Sequence, residues 1–182
     1  MTWKNTNAHY GRLSIALHWL MVVLLAATYA CIELRGQFAK GTEARALIVQ
    51  FHFMLGLSVF TLVWLRLLAR TLGVTPQIVP APPVWQTLLA TLMHWALYAL
   101  MIGMPLLGWL ILSGQGRTVP FWGLALPPLM GENRDLAGQI QDWHMSFGEW
   151  GYWLIGLHAL AGIGHHYVRR DNTLVRMLPR RG

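Results

Sequence analysis

Apolar residues fill four long segments of this 182-residue chain, at 13–33, 46–69, 84–112 and 143–168. A bilayer core about 30 Å thick requires roughly 20 mostly apolar residues in a helix, and each segment meets that length. The pattern therefore predicts an all-α fold, an integral membrane four-helix bundle formed by a single domain over residues 1–182. The first segment is longer than a usual signal-peptide core, and Thr28-Tyr29-Ala30-Cys31 makes a poor lipoprotein cleavage box, so it is read as a retained helix. Pro76, Pro80, Pro82 and Pro83 mark 71–83 as a plain extended connector. The 113–142 segment is long for a structureless link and is read as a lid on the outer membrane surface.

Composition strengthens this picture. Hydrophobic residues make up 55% of the chain and charged residues 12%, about half the charge of an ordinary soluble domain. The net charge of +7 does not point to nucleic acid, because the basic residues flank apolar runs instead of forming a patch. Lys4, Arg12, Arg66, Arg70, Arg169, Arg170, Arg176, Arg180 and Arg181 fall on one side, with Asp171 as its only acid, for a net +8. The opposite side carries Arg35, Lys40, Arg45, Arg117 and Arg134 against Glu33, Glu43, Glu132, Asp135, Asp142 and Glu149, for a net −1. This asymmetry places both termini in the cytoplasm. Cys31 is the only cysteine, which excludes an internal disulfide and a CxxCH haem attachment.

Candidate chemistry lies with the histidines, since ionisable residues inside a span are costly and mark function. His144 and His158 are 14 residues apart, about 21 Å along one helix and on nearly the same face. His18 enters from the cytoplasmic side, and His52 from the outer side at similar depth. The expected pairs are His18 with His158 and His52 with His144. Two imidazoles facing each other suit six-coordinate haem iron and electron transfer, whereas zinc normally takes three or four protein ligands. Glycine follows four residues after three of these histidines, at Gly56, Gly148 and Gly162, leaving room on the same face for a flat macrocycle. His94 stays open as a rival ligand at the inner level. His165 lies about 10 Å nearer the aqueous edge than His158 and suits a propionate, quinone or proton-handling role. His9 and His166 read as interfacial. Arg12, Arg66 and Arg70 sit where haem propionates or lipid phosphates would be met from the cytoplasmic side. The ten tryptophans read as interfacial belt and packing residues, with the alternative for Trp19, Trp95 and Trp143, which adjoin candidate histidines, that they pack on a macrocycle.

With these residues in view, the chain resembles the prokaryotic cytochrome b561 family. The resemblance rests on His18-Trp19-Leu20, Glu33-Leu34-Arg35-Gly36, Leu65-Arg66-Leu67-Leu68, Gly156-Leu157-His158, and His165-His166-Tyr167 followed by Asp171-Asn172-Thr173-Leu174-Val175-Arg176-Met177. It implies two non-covalent haems b whose axial ligands fall on His18, His52, His144 and His158. It also implies a superoxide oxidase activity, with superoxide oxidised at the periplasmic face and ubiquinone reduced. The outer charge balance does not favour an anion, but Arg35, Lys40 and Arg45 cluster in the first outer loop as a local positive patch. The alternative is an electron-transfer subunit passing electrons between a partner dehydrogenase or hydrogenase and quinone. A third, non-redox reading is a small transporter or metal-handling channel with histidines along its path.

Overall fold

The computed structural model describes residues 2–179 and contains four long helices. These are α1 (Arg12–Leu34), α2 (Glu43–Thr71), α3 (Val84–Gly114) and α4 (Arg134–Gly164). Arg180 and Arg181, counted above among the basic residues, lie outside the described residues. Helix starts follow local chemistry. The Thr42 hydroxyl accepts from the Arg45 N–H to cap α2, the Asn133 amide oxygen accepts from the Leu136 N–H to cap α4, and Pro83 precedes α3. Glu43 and Asp135 occupy the first turns of α2 and α4, where the helix dipole favours an acid.

The first three helices match the expected spans to within three residues at each end. Residues 12–37, 43–71 and 84–114 are long and apolar enough to cross a membrane. The fourth differs. It begins at Arg134, nine residues before the apolar run at 143, because its first turns bury only a narrow stripe, Ala137 and Ile140. Arg134, Asp135, Gln139 and Asp142 on its other faces mask that stripe in any average of hydropathy.

The α3–α4 connection is correspondingly shorter, and it is ordered. β1 (Val119–Phe121) and β2 (Leu124–Leu126) pair antiparallel around Trp122 and Gly123. Both turn residues have positive φ, 45° and 88°, the conformation that matches a two-residue turn to the twist of its strands. Val119 is buried with Leu57 and Leu112, and the Trp122 indole donates to the Ser58 hydroxyl at 2.9 Å. Ser58 lies 15 residues into α2, about 22 Å along its axis. The segment is thus a hairpin running down the flank of α2, not a lid spread over the outer surface.

Neighbouring helices pack in sequence, α1 on α2, α2 on α3 and α3 on α4. The central core is small: Met21, Val59, Val63, Tyr98 and Met101. Many large apolar side chains instead face outward, among them Val23, Trp64, Leu88, Trp95 and Trp153. Such a surface suits lipid, because a water-soluble monomer rarely exposes so much contiguous apolar area.

At the end bearing both termini, three segments are tied together. The Val79 N–H donates to Asn172 Oδ1 at 2.9 Å and the Asn172 N–H returns to the Val79 carbonyl at 3.2 Å. Arg176 donates to the Pro76 carbonyl and lies over the Tyr10 ring, while the Gln77 N–H reaches the Asn7 carbonyl. The 71–83 linker is therefore an anchored part of this end, and more than a plain connector.

Candidate functional site

The structure places the membrane histidines on two levels. At the level nearer the two termini, called inner by that position alone and the other level outer, His18 of α1 meets His158 of α4 with ring centres 6.3 Å apart and planes crossed at 78°. At the outer level His52 of α2 meets His144 of α4 at 6.2 Å and 79°. These are the two neighbour relations expected from spacing. α4 joins the levels, since 14 residues bring the chain through nearly four turns. The inner level also holds His94 of α3, whose ring centre is 5.7 Å from that of His158.

Local structure orients the outer pair. His52 Nδ1 lies 2.9 Å from the Thr28 carbonyl oxygen. A proton on Nδ1 donates to that carbonyl and leaves the Nε2 lone pair free, the arrangement that fixes the tautomer of a metal-binding imidazole. His144 Nδ1 is buried and has no hydrogen-bond partner. Gly108 leaves space beside His144, where an added Cβ would stand 3.6 Å from Cε1.

A cavity of about 440 Å³ opens between His52 and His144 and is bounded by side chains from all four helices. That volume lies in the range usual for cofactor sites, roughly 300–1,000 Å³. Its wall is mostly apolar, with Gly56 and Gly148 among the lining residues. A Cβ built on Gly56 or on Gly162 would meet no atom within 4 Å, and one on Gly148 only the Met104 methyl at 3.5 Å. These are the three glycines singled out by their offset from a histidine.

Other polar residues at the outer level carried no signal in the sequence. The Tyr29 hydroxyl donates to the Gly148 carbonyl at 3.0 Å, and the Tyr152 hydroxyl to Glu33 Oε1 at 2.5 Å. The two rings meet tilted at 54° with centres 4.5 Å apart and close the seam between α1 and α4. Their partners lie 119 positions away in sequence. At the opposite end, Arg66 Nη1 is buried with no hydrogen-bond partner, and the Trp19 indole, edge-on to His18, donates to the Met177 carbonyl at 2.7 Å.

His165 opens a short π-helical turn, His165–Arg169, beyond α4. Its Nδ1 lies 2.6 Å from Asp171 Oδ2, and Asp171 also accepts from the Thr173 N–H at 2.9 Å. Burial pushes the Asp171 carboxyl up, but the Thr173 hydroxyl and N–H and the His165 ring outweigh it and hold the carboxyl below its ordinary value. His165 thus serves the fold of the C-terminal segment. His166 packs edge-on against Tyr167, and His9 sits in a turn with Thr6. Among the described residues, no three His, Cys, Asp or Glu side chains gather in the manner of a metal-ion cluster.

The pattern of the prokaryotic cytochrome b561 family matches residues 9–180. The chain is 38% identical over 172 residues to cytochrome b561 homolog 1 of Escherichia coli strain K12, covering 94% of this chain and 98% of that protein. It is 37% identical over 172 residues to the probable superoxide oxidase CybB of Yersinia pestis, covering 94% and 97%. Cytochrome b561 homolog 2 of Escherichia coli strain K12 is 26% identical over 190 residues, covering 98% and 95%. Paired imidazoles between apolar helices and matches along nearly the whole chain lead to one conclusion: it belongs to the prokaryotic cytochrome b561 family, membrane proteins that bind haem b and transfer electrons.

Proposed function

We propose that the chain binds two haems b, one between His18 and His158 and one between His52 and His144. The observation that carries this is the imidazole spacing. Two imidazoles that held one haem iron between them would need ring centres roughly 6.3 Å apart, two metal–nitrogen bonds of about 2.0 Å plus the reach from each nitrogen to its ring centre. The two pairs, at 6.3 and 6.2 Å, have that separation. His94 stands beside the pair, its ring centre 5.7 Å from that of His158. Room at Gly56 and Gly162 suits the same occupant.

Each haem, when bound, supplies a one-electron ferric/ferrous couple; the protein supplies ligands, spacing and a low-dielectric jacket. In this reading α4 is the fourth span, both termini face the cytoplasm and the His52/His144 level faces the periplasm of a bacterial inner membrane. The reaction is oxidation of superoxide at the outer face with reduction of ubiquinone. Two superoxide ions yield two dioxygen molecules, and ubiquinone takes the two electrons and two protons to give ubiquinol. The name of the Yersinia pestis relative supports this choice of donor. So does the outer basic turn, where Arg45 donates to the Arg35 and Phe38 carbonyls and fixes the loop bearing Arg35 and Lys40. Stopped-flow absorbance of the purified haem-loaded protein tests it. Superoxide is expected to reduce the protein and ubiquinone to reoxidise it. No superoxide-dependent reduction would shift the assignment to a subunit fed by a redox partner protein.

A further inference from the structure

We infer that Arg35 and Arg117 hold the propionate carboxylates of the haem seated between His52 and His144. This rests on the two-haem reading and adds to it a second pair of contacts, at the rim of the cavity. Both arginines line the same cavity as the two histidines, yet they come from separate loops, one after α1 and one after α3. No lysine and no other arginine among the described residues lines it. Among the described residues neither forms an ion pair with an acid, although Glu33 and Glu149 also border the cavity. Glu33 is engaged by the Tyr152 hydroxyl instead.

Each guanidinium is placed by built structure. The carbonyl of Arg35 is gripped by Arg45 at 2.8 Å, which fixes the turn that carries it. The Arg117 N–H caps α3 at the Leu112 carbonyl, and its guanidinium stands 6.0 Å from the centre of Phe53, the neighbour of His52. Two unpaired cations at the mouth of an apolar slot that has paired imidazoles in its depth complement a flat apolar ligand ending in two carboxylates. Arginine suits that task because its planar fork matches a carboxylate in two parallel hydrogen bonds. A positive charge there also favours the ferrous state, which carries one positive charge fewer than the ferric, so it raises the affinity for the electron.

The test is a redox titration of the purified holoprotein, with haem-to-protein ratio measured in parallel, for Arg35→Gln, Arg117→Gln and the double variant. The expected result is a downward shift in one of the two potentials, larger in the double variant, with the other unchanged as an internal control of folding. The shifting component is expected to be the one missing from His52→Ala protein. Arg35→Lys and Arg117→Lys, which keep the charge, are expected to restore most of the shift. Unchanged potentials and haem content in all variants, with two haems in the parent, would overturn this inference alone and assign the arginines to lipid headgroups. A parent that binds a single haem would remove the two-haem reading and this inference with it.

Discussion

Alanine at His52 and alanine at His18 are expected to have unequal effects, because the two levels differ in spare ligands. Among the described residues His52 and His144 are the only histidines at the outer level, so His52→Ala leaves one imidazole there and no second one to replace it. Haem content is expected to fall from two per chain to one. At the inner level His94 already stands 5.7 Å from His158. To serve across an iron it must withdraw by about 0.6 Å relative to the roughly 6.3 Å axial spacing. A strained rotamer of this kind costs about 1 kcal/mol, which weakens retention about fivefold. His18→Ala protein is thus expected to keep a six-coordinate inner haem, lost more readily on dilution, whereas His18→Ala/His94→Ala protein loses it. Haem-to-protein ratios and low-spin absorbance of the three variants decide the matter. Two low-spin haems in His52→Ala protein would refute the outer pairing. Equal loss in the single and double inner variants would refute the reserve role of His94.

The remaining predictions concern the seams that hold the site together. A Cβ at Gly151 would overlap the Tyr29 hydroxyl, so Gly151→Ala is expected to destabilise the protein by about 1–3 kcal/mol and lower its thermal midpoint in detergent. Tyr29→Phe in that background removes the overlapping oxygen and is expected to recover part of the loss; no recovery would mean that the loss does not arise from the Tyr29 hydroxyl. The Asp171 carboxyl is held below its ordinary 3.8, so the stability it contributes is complete above about pH 4 and is lost as pH falls through its lower folded value. Limited proteolysis of the C-terminal segment is expected to stay slow until that range is reached, and Asp171→Asn to quicken it at neutral pH. An opening of the parent already near pH 5 would contradict the assignment.

The expected ends of α1, α2 and α3 were legible because lipid-facing helices are apolar on every side, and an average of hydropathy finds such segments. The start of α4 was not, since Ala137 and Ile140 alone face the bundle and polar neighbours dilute them. Its signal was the Asn133 cap followed by that i, i+3 apolar pair, a cue for a helix end that hydropathy ignores. The histidine pairs could be anticipated from depth, because direction and rise fix how far along its helix each residue lies. Rotation about the helix axes could not be. The Tyr29–Gly148 and Tyr152–Glu33 contacts depend on which faces α1 and α4 turn to each other, and packing across 119 residues decides that. The C-terminal ties to the 76–79 linker likewise consist of backbone groups and an asparagine, residue types common in any loop.

One detail of α1 reaches further than its own contact. The helix presents His18 at the inner level, and ten residues later its Thr28 carbonyl meets His52 at the outer one. Each residue added to a helix rotates the rest of it by about 100° and advances it about 1.5 Å. A single insertion or deletion between positions 18 and 28 therefore cannot leave both contacts in place. The interval acts as a gauge whose length is set in whole residues, and it couples two centres that share no ligand through α1 in addition to the α4 they have in common.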